Sequence, residues 1–222
     1  MATAVPWEAI QKRIWSCEAC KGHERVQTNV RQQTPAPVMP VPLLFVGIAP
    51  PDQGSPAART NAKSATNDRE DNLRKFIEEA AALTWDDLIA KRAFLIHAVK
   101  CPIVSDSEGF QNPPSDVVDR CSPIGFADEL SFLQPARIVA LGGAARRAVL
   151  KHPEVTAPRG VGVSMTFAKL QESWPKGIPC RLGSAGMVLH PVPFPRSPAA
   201  RKTAAAIVRE GVRLAGLDNA AG

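Results

Sequence analysis

The sequence predicts an α/β fold in which helices cover both faces of a mainly parallel sheet. Four short apolar segments have the length and composition of buried strands, at 43–46, 93–100, 137–143 and 186–191. Helical patterns separate these segments, and strands that alternate with helices build parallel sheets through right-handed crossovers. Hydrophobic residues make up 45% of the chain and charged residues 22%, which is typical of a globular protein and excludes global disorder.

Segment 1–30 is predicted to hold a helix followed by a CxxC motif. Apolar residues recur in it at helical spacing: Trp7, Ile10, Ile14 and Trp15. The prolines of segment 31–42 indicate an extended connector that leads to the first strand. A length of 222 residues suits one domain, so we expect residues 1–222 to fold as a single unit.

The later helices are predicted from their starting residues and their periodicity. Between the first two strands, one helical face carries Leu73, Phe76, Ile77 and Ala80, after a start that contains Asn67, Asp68 and Asp71. Ser122-Pro123 is typical of a helix start, and this helix is expected to run through Leu133. Gly142-Gly143 predicts a tight turn from the third strand into a helix. Segment 198–216 predicts a basic amphipathic helix.

The chain carries an excess of positive charge. Lys and Arg number 27 against 21 Asp and Glu, which gives a net charge of +6. This excess is compatible with a polyanionic partner, although many basic proteins bind no nucleic acid. No segment approaches the ~18 consecutive apolar residues of a transmembrane helix, and the first residues lack the features of a signal peptide. We therefore expect a cytoplasmic protein that does not bind membranes.

The five cysteines predict a thiolate site rather than a set of disulfides. An odd number of cysteines in a chain without an export signal argues against a disulfide framework. Cys17 and Cys20 form a CxxC after a helix, whereas a redox pair usually opens a helix after a strand. One close pair together with the single cysteines Cys101 and Cys121 favours an iron–sulfur cluster over zinc. A zinc site and buried free thiols remain alternatives, and Cys180 stands apart.

Four further motifs, in chain order, resemble those of the uracil-DNA glycosylase superfamily in its iron–sulfur branch. GIAPPDQG at 47–54 is similar to the Gly-x-Ala-Pro loop that follows strand one in that branch. HAVKCP at 97–102, followed by NPP and then Cys121, matches its strand-Lys/Arg-Cys-Pro segment. Segment 121–150 resembles its helix, Ile-Val-Ala-Leu-Gly strand and Ala-rich helix, and LHPVPFPR at 189–196 corresponds to its His-Pro-Ser motif. The type-b (family 5) enzymes look closest.

The resemblance implies a fold, a cofactor and an activity. The fold would be a three-layer α/β/α sandwich around a four-stranded parallel sheet, with DNA bound across the strand ends. A structural [4Fe–4S] cluster would be held by Cys17, Cys20, Cys101 and Cys121. The protein would be a monomeric, monofunctional DNA glycosylase of base excision repair. It would hydrolyse the N-glycosidic bond of uracil in single- or double-stranded DNA and leave an abasic site, with other deaminated bases as alternative substrates.

The resemblance also implies roles for single residues. His190 would donate a hydrogen bond to the departing base. Asp68 would position water or stabilise positive charge on the sugar. Asp71 is an alternative because the alignment slips by one residue there, and Asp52 is another because it lies two residues past Pro50. The residues expected to contact the base are Gly47, Ile48, Ala49, Pro50, Asp52, Gln53 and His97. The residues expected to contact DNA phosphates are Gly142, Gly143 and Arg196.

The sequence departs from the family pattern in three places. Ile48 and Ala49 stand where some relatives carry a carboxylate, and Val192 replaces the serine of His-Pro-Ser. Segment 55–72 contains no aromatic residue that could stack on the base, which leaves Phe110 or Phe194 for that role. These departures weaken the expectation of strict uracil specificity. They favour, as the alternative, a metal-stapled protein that binds uracil-containing or abasic DNA with little or no catalysis.

Overall fold

One mixed sheet organises the protein. The computed structural model describes residues 5–28, 34–50, 68–104 and 113–218, without the side chains of 68–71. The strands are β1 Leu43–Gly47, β2 Ala93–His97, β3 Arg137–Leu141, β4 Val155–Thr156, β5 Ile178–Leu182 and β6 Ala185–Val192. They form a six-stranded sheet in the order β2-β1-β3-β6-β5-β4.

Helices connect the strands and pack on the sheet. They are α1 Trp7–Trp15, α2 Asp68–Ala81, α3 Trp85–Ala90, α4 Ser115–Cys121, α5 Ala127–Leu133, α6 Gly143–Leu150, α7 Phe167–Ser173 and α8 Pro198–Leu214. A π-helical turn, Ser122–Phe126, joins α4 to α5 without a break, where a new helix was predicted to start at Ser122-Pro123. Pro123 accounts for this wider turn because it has no N–H for the helical ladder. Within the described parts of the chain, no helix is both long and apolar enough to cross a membrane.

The expectation of a four-stranded, wholly parallel sheet is wrong in strand number and in strand direction. Strands β2, β1, β3 and β6 are parallel to one another, but β5 and β4 extend the sheet in antiparallel pairing. A two-residue turn at Gly183-Ser184 joins β5 to β6, and Gly183 has a φ of +57°. The segment of β5, IPCRL, contains a proline and an arginine and alternates between buried and exposed positions, so it does not form a continuous apolar run.

The sheet has a hydrophobic core on each face because successive strand residues point to opposite sides. In β1, Leu44 and Val46 join one core, and Leu43 and Phe45 join the other. The first core is covered by α1, α4, α5, α6 and α7, and the second by α2, α3 and α8. Helices therefore lie on both faces of the sheet, as the alternating pattern predicts.

The four parallel strands end together at one edge of the sheet, called here the carboxyl edge. In the strand register Gly47 lies opposite His97, and Leu141 lies opposite Val192. The Ala98 N–H donates to the Gly47 carbonyl at 3.0 Å, so the ladder continues one step beyond β2. Ligands of open parallel sheets bind at such an edge, where the connecting loops gather.

Candidate functional site

Four of the five cysteines line one cleft, called here the cysteine cleft. They are Cys17, Cys20, Cys101 and Cys121, and the cavity volume between its walls is about 10 Å³. All five cysteines lie in described residues, and none forms a disulfide. Cys180 lies in β5 and does not line this cleft. The structure therefore brings together the four cysteines chosen from the sequence and leaves the fifth apart.

Distant parts of the chain meet to build the cysteine cleft. An antiparallel bridge between Val26 and Ile103 joins the segment after the CxxC to the segment after β2. Hydrogen bonds of 3.0 Å from the Gln27 N–H to the Pro102 carbonyl and 2.9 Å from the Val104 N–H to the Arg25 carbonyl flank that bridge. These contacts bring Cys20 and Cys101 into the wall of one cleft, although they stand 81 positions apart in the sequence.

Gly125 of the π-helical turn permits close packing beside the cleft. A Cβ atom at this position would lie 2.8 Å from Ile14 Cγ1 and 3.0 Å from Lys100 Cγ. Only a glycine lets α1 and the residue before Cys101 approach the turn so closely. The backbone N–H of Lys100 then donates to the Cys121 sulfur, at 3.2 Å.

Burial is the main influence on the thiols. It raises the pKa of Cys121 to about 12, and the neighbouring Cys101 and Cys20 add to the shift. It also raises the pKa of Cys20, with a further contribution from Cys17. A bound cation would reverse this effect, because metals hold thiols in the deprotonated form. Among the described side chains, no three His, Cys, Asp or Glu groups are arranged to hold a single metal ion.

The loops after β1, β3 and β6 meet at the carboxyl edge. Gly142 has a φ of +97°, and a Cβ there would lie 3.0 Å from Ile48 and 3.4 Å from Phe194. The Gly142 N–H donates to the Val192 carbonyl at 2.8 Å, which ties the turn to the end of β6. Gly143 follows as the first residue of α6, and a Cβ there would meet nothing within 4 Å.

His97 lies across Gly47 at the end of β2. A Cβ on Gly47 would stand 2.8 Å from His97 Cδ2 and 3.2 Å from Leu73 Cδ2, so a larger residue would displace the ring. The His97 side chain is buried, and burial lowers its pKa to about 3, with added effects of Lys100 and Arg74. It is therefore neutral at neutral pH and offers one donor and one acceptor.

His97 also lines a cavity of about 270 Å³, called here the His97 cavity. Its walls come from the connector, α2, α3 and β2: Thr34, Pro35, Ala36, Pro37, Val38, Val41, Arg74, Trp85, Ile89, Arg92, Ala93, Phe94, Leu95 and His97. Most of these side chains are apolar or aromatic, and the charged ones are both arginines. Such a mixture is typical of a small-molecule site, in which a few polar groups fix the orientation of the ligand.

Trp85 is the aromatic residue that the sequence analysis missed. It lies in the wall of the His97 cavity, with the Arg74 guanidinium 5.3 Å from its ring centroid and the Phe45 ring 6.4 Å away. It begins α3 directly after Thr84, whose side chain forms a capping box with Asp87. The Thr-x-x-Asp spacing resembles the usual Ser/Thr-x-x-Glu/Gln signature of a helix start, so this capping pattern was available in the sequence as a signal.

His190 lies apart from the His97 cavity. It is an inner residue of β6, 2% exposed, and its ring stands beside Gly177 and faces Gly211 of α8. Arg137 Nη1 lies 3.4 Å from His190 Nε2, which places the imidazole near the start of β3 rather than the carboxyl edge. Burial, reinforced by Arg137, lowers the pKa of His190 to about 4. His190 instead lines a small separate cavity beneath α7 and α8.

The remaining predicted residues fall into two groups. Asp52 and Gln53 lie outside the described residues, as does the side chain of Asp68. Asp68 is the first residue of α2, and Leu73 of that helix touches Gly47, so the start of α2 lies near the carboxyl edge. Ile48 and Pro50 are buried, Ala49 is half-buried, and Arg196 is exposed with its guanidinium 5.7 Å from the Phe194 ring centroid.

Comparison of the chain with models of known families finds no matching family, and comparison with curated proteins finds no significant match. The likeness to the uracil-DNA glycosylase superfamily therefore rests on the motifs of the sequence.

Replacing Gly142 by alanine should destabilise the protein, because residue 142 needs a positive φ and its Cβ would press on Ile48. We expect Gly142→Ala to lower the free energy of unfolding by about 2 kcal/mol in urea denaturation. Gly143→Ala is the matched control and should leave it unchanged or raise it by up to about 1 kcal/mol, because its Cβ meets open space in a helix. Equal losses in the two variants would contradict this account of the turn.

Acid should weaken the fold through His190. Its pKa lies below the ordinary value in the folded state, so the unfolded chain binds the extra proton between about pH 6.5 and pH 4. The stability that the neutral His190 contributes is therefore fully present above that window and is lost as the pH falls through it. Between pH 7 and pH 4, we expect the free energy of unfolding of the wild type to fall by about 3 kcal/mol more than that of His190→Gln, as measured by urea denaturation at each pH. Parallel pH profiles would show that His190 is not the titrating group.

Proposed function

We propose that the protein is a DNA glycosylase of the uracil-DNA glycosylase kind, and that a [4Fe–4S] cluster cross-links distant segments of its fold. The observation that carries this proposal is the cysteine cleft, in which four thiols from three distant segments face one space. The His97 cavity and the loops of the carboxyl edge supply the base-binding and DNA-binding parts. The three-layer arrangement expected of such an enzyme is compatible with a sheet that bears helices on both faces.

The cysteine cleft suits a cluster better than a single ion. Each thiolate of a cluster binds a different iron, so its ligands stand further apart than those of one tetrahedral zinc. Ile14, Ala19 and Ile124 form much of the rest of the wall and would shield the cluster from water. When bound, the cluster would supply a cross-link between α1, the segment after β2 and α4. Hydrolysis of a glycosidic bond needs no electron transfer from it.

The His97 cavity suits a flipped nucleobase. Its 270 Å³ equals the liquid volume of about nine water molecules, which is enough for one base ring. Arg74 and Arg92 can only donate hydrogen bonds, and none of the described residues in the cavity wall carries a carboxylate. Carbonyl oxygens, as in uracil and other deaminated bases, would find donors here on Arg74, Arg92 and the neutral His97. Trp85 offers an aromatic wall for the base.

Catalysis would depend on groups at the carboxyl edge. Cleavage leaves negative charge on the base, and a neutral His97 can donate a hydrogen bond to it from a preorganised, buried position. Asp68 at the start of α2 is the carboxylate proposed to orient water or to stabilise the sugar cation. The Gly142-Gly143 turn and Arg196 would hold the DNA phosphates beside the cavity. His190 would have to leave Arg137 before it could reach the base.

A second candidate function is a protein that binds damaged DNA with little catalysis. The observation that favours it is the position of His190, which is buried against Arg137 and does not line the His97 cavity. Such a protein would keep the cluster, the base cavity and the DNA contacts. It would lack the donor that the family pattern places on the departing base.

A gel assay on a uracil-containing oligonucleotide tests the activity. We expect product only after alkali treatment, because no lysine is among the described residues that line the His97 cavity. His97→Ala should lower kcat/KM about 10²-fold through loss of one preorganised donor. Asp68→Asn should stop turnover, and Asp71→Asn tests the alternative carboxylate on the same helix; loss of turnover in Asp71→Asn alone would transfer the role to Asp71. Retained binding to the oligonucleotide without alkali-labile product would support the second candidate instead.

The cofactor is tested by composition and by cysteine substitution. Purified protein should be brown, with iron and sulfide in equal amounts. Cys101→Ala should lose the colour and a large part of the stability, because it removes a ligand. Cys180→Ala is the matched control, since Cys180 is equally buried in the sheet but outside the cleft. Colourless protein with stoichiometric zinc, or equal effects of the two substitutions, would contradict the assignment.

A further inference from the structure

A buried ion pair stands beside the cysteine cleft. The Lys100 ammonium contacts one oxygen of Glu129, and their side chains are 8% and 0% exposed. Gln11 Nε2 donates to the other oxygen of Glu129 at 2.9 Å. Both oxygens of this carboxylate are thus engaged, and three separate segments of the chain hold the pair in place.

The positive member of the pair belongs to the wall of the cleft. Lys100 lines the cleft and immediately precedes Cys101. Its backbone N–H donates to the Cys121 sulfur, and its ammonium lies 5.6 Å from the Phe126 ring centroid. Water is largely excluded from this charge, so its field reaches the thiols with less screening than a surface charge would have.

We infer that the Lys100–Glu129 pair sets the reduction potential of the group bound by the four cysteines, and with it the resistance of that group to air. The inference rests on the [4Fe–4S] cluster of the proposed function. Potentials of iron–sulfur clusters depend on local net charge and on hydrogen bonds to their sulfurs. Lys100 favours the reduced, more negative state, and Glu129 offsets part of that effect.

The chain contains a matched control for this pair. Lys21 and Glu18 form an ion pair of 3.0 Å next to Cys20, just as Lys100 stands next to Cys101. The side chains of this second pair are 69% and 67% exposed, so water and salt screen their charges. The two pairs have the same chemistry next to a cysteine of the cleft and differ in burial.

The test is a spectroelectrochemical titration of the full-length, iron-loaded protein and its variants. Lys100→Met should shift the potential downward and Glu129→Gln should shift it upward. Lys21→Met and Glu18→Gln should leave the potential unchanged. Lys100→Arg, which keeps the positive charge, should have the wild-type potential. Shifts of opposite sign separate an electrostatic role from a merely structural one, because both buried substitutions would weaken the fold in the same direction.

A second measurement compares loss of the cluster absorbance in air and under argon. We expect Lys100→Met to lose it several-fold faster than wild type in air only, and Glu129→Gln to lose it more slowly. Glu129→Gln keeps Lys100 and an acceptor for it, so this variant carries the test if Lys100→Met does not fold. If the iron-loaded Lys100 and Glu129 variants keep the wild-type potential, or if both shift it in the same direction, the inference is wrong while the proposed function stands. Wild-type protein without iron and sulfide overturns the cofactor together with it.

Discussion

The buried contact between Lys100 and Glu129 determines how the cysteine-bearing corner of the molecule is assembled. Removing two charges from water costs several kcal/mol for each ion, and only well-placed partners offset that cost. The structure meets this condition by occupying both oxygens of Glu129, with Lys100 on one and Gln11 on the other. The pair therefore stabilises this corner only when α1, the end of β2 and α5 are all docked. A partly assembled corner would leave a buried charge without its partner.

The same corner connects the two candidate sites. Gln11 Oε1 accepts a hydrogen bond from the Thr34 N–H at 3.0 Å, and Trp7 Nε1 donates to the Thr34 carbonyl at 3.1 Å. Thr34 begins the part of the connector that walls the His97 cavity. Hydrogen bonds thus run from the Cys121 sulfur through Lys100 and Glu129 to that wall. The position of α1 fixes one side of the cysteine cleft and one side of the cavity together.

Sequence patterns predicted the regular parts of the fold because burial on both faces leaves a clear signal. The apolar run at 43–46 is β1, and the periodic residues from Trp7 to Trp15 coincide with α1. The signal fails where a strand is half exposed. Strand β5 carries Pro179 and Arg181 on its exposed side, so its pattern was not recognised, and the sheet was expected to end at β6.

The cysteine ligands of the candidate site could be predicted because their spacing in the sequence indicates a shared site. Residues whose place depends on tertiary packing could not be predicted as well. Cys17, Cys20, Cys101 and Cys121 could be grouped because four dispersed thiols suggest one site. Trp85 could not be assigned to the His97 cavity, since its place there depends on how α3 packs against α2 and β2. His190 was expected at a strand end, but β6 continues to Val192 and pairs with β3, which keeps the imidazole inside the sheet.

His190 lies inside the sheet and does not reach the carboxyl edge, so the shape of that edge depends on the glycines Gly47 and Gly142. The loop after β6 reaches that edge through Phe194, whose ring lies beside Gly142. His97 reaches it from β2 because Gly47 leaves room for the ring. A methyl group at either glycine would move a residue that lines the edge, so the absence of a side chain there shapes the site as much as the histidine does. The chemistry of this edge is thus set by how closely backbone segments approach one another. A single sequence reveals such a close approach only where a glycine stands at a position that no larger residue would fit.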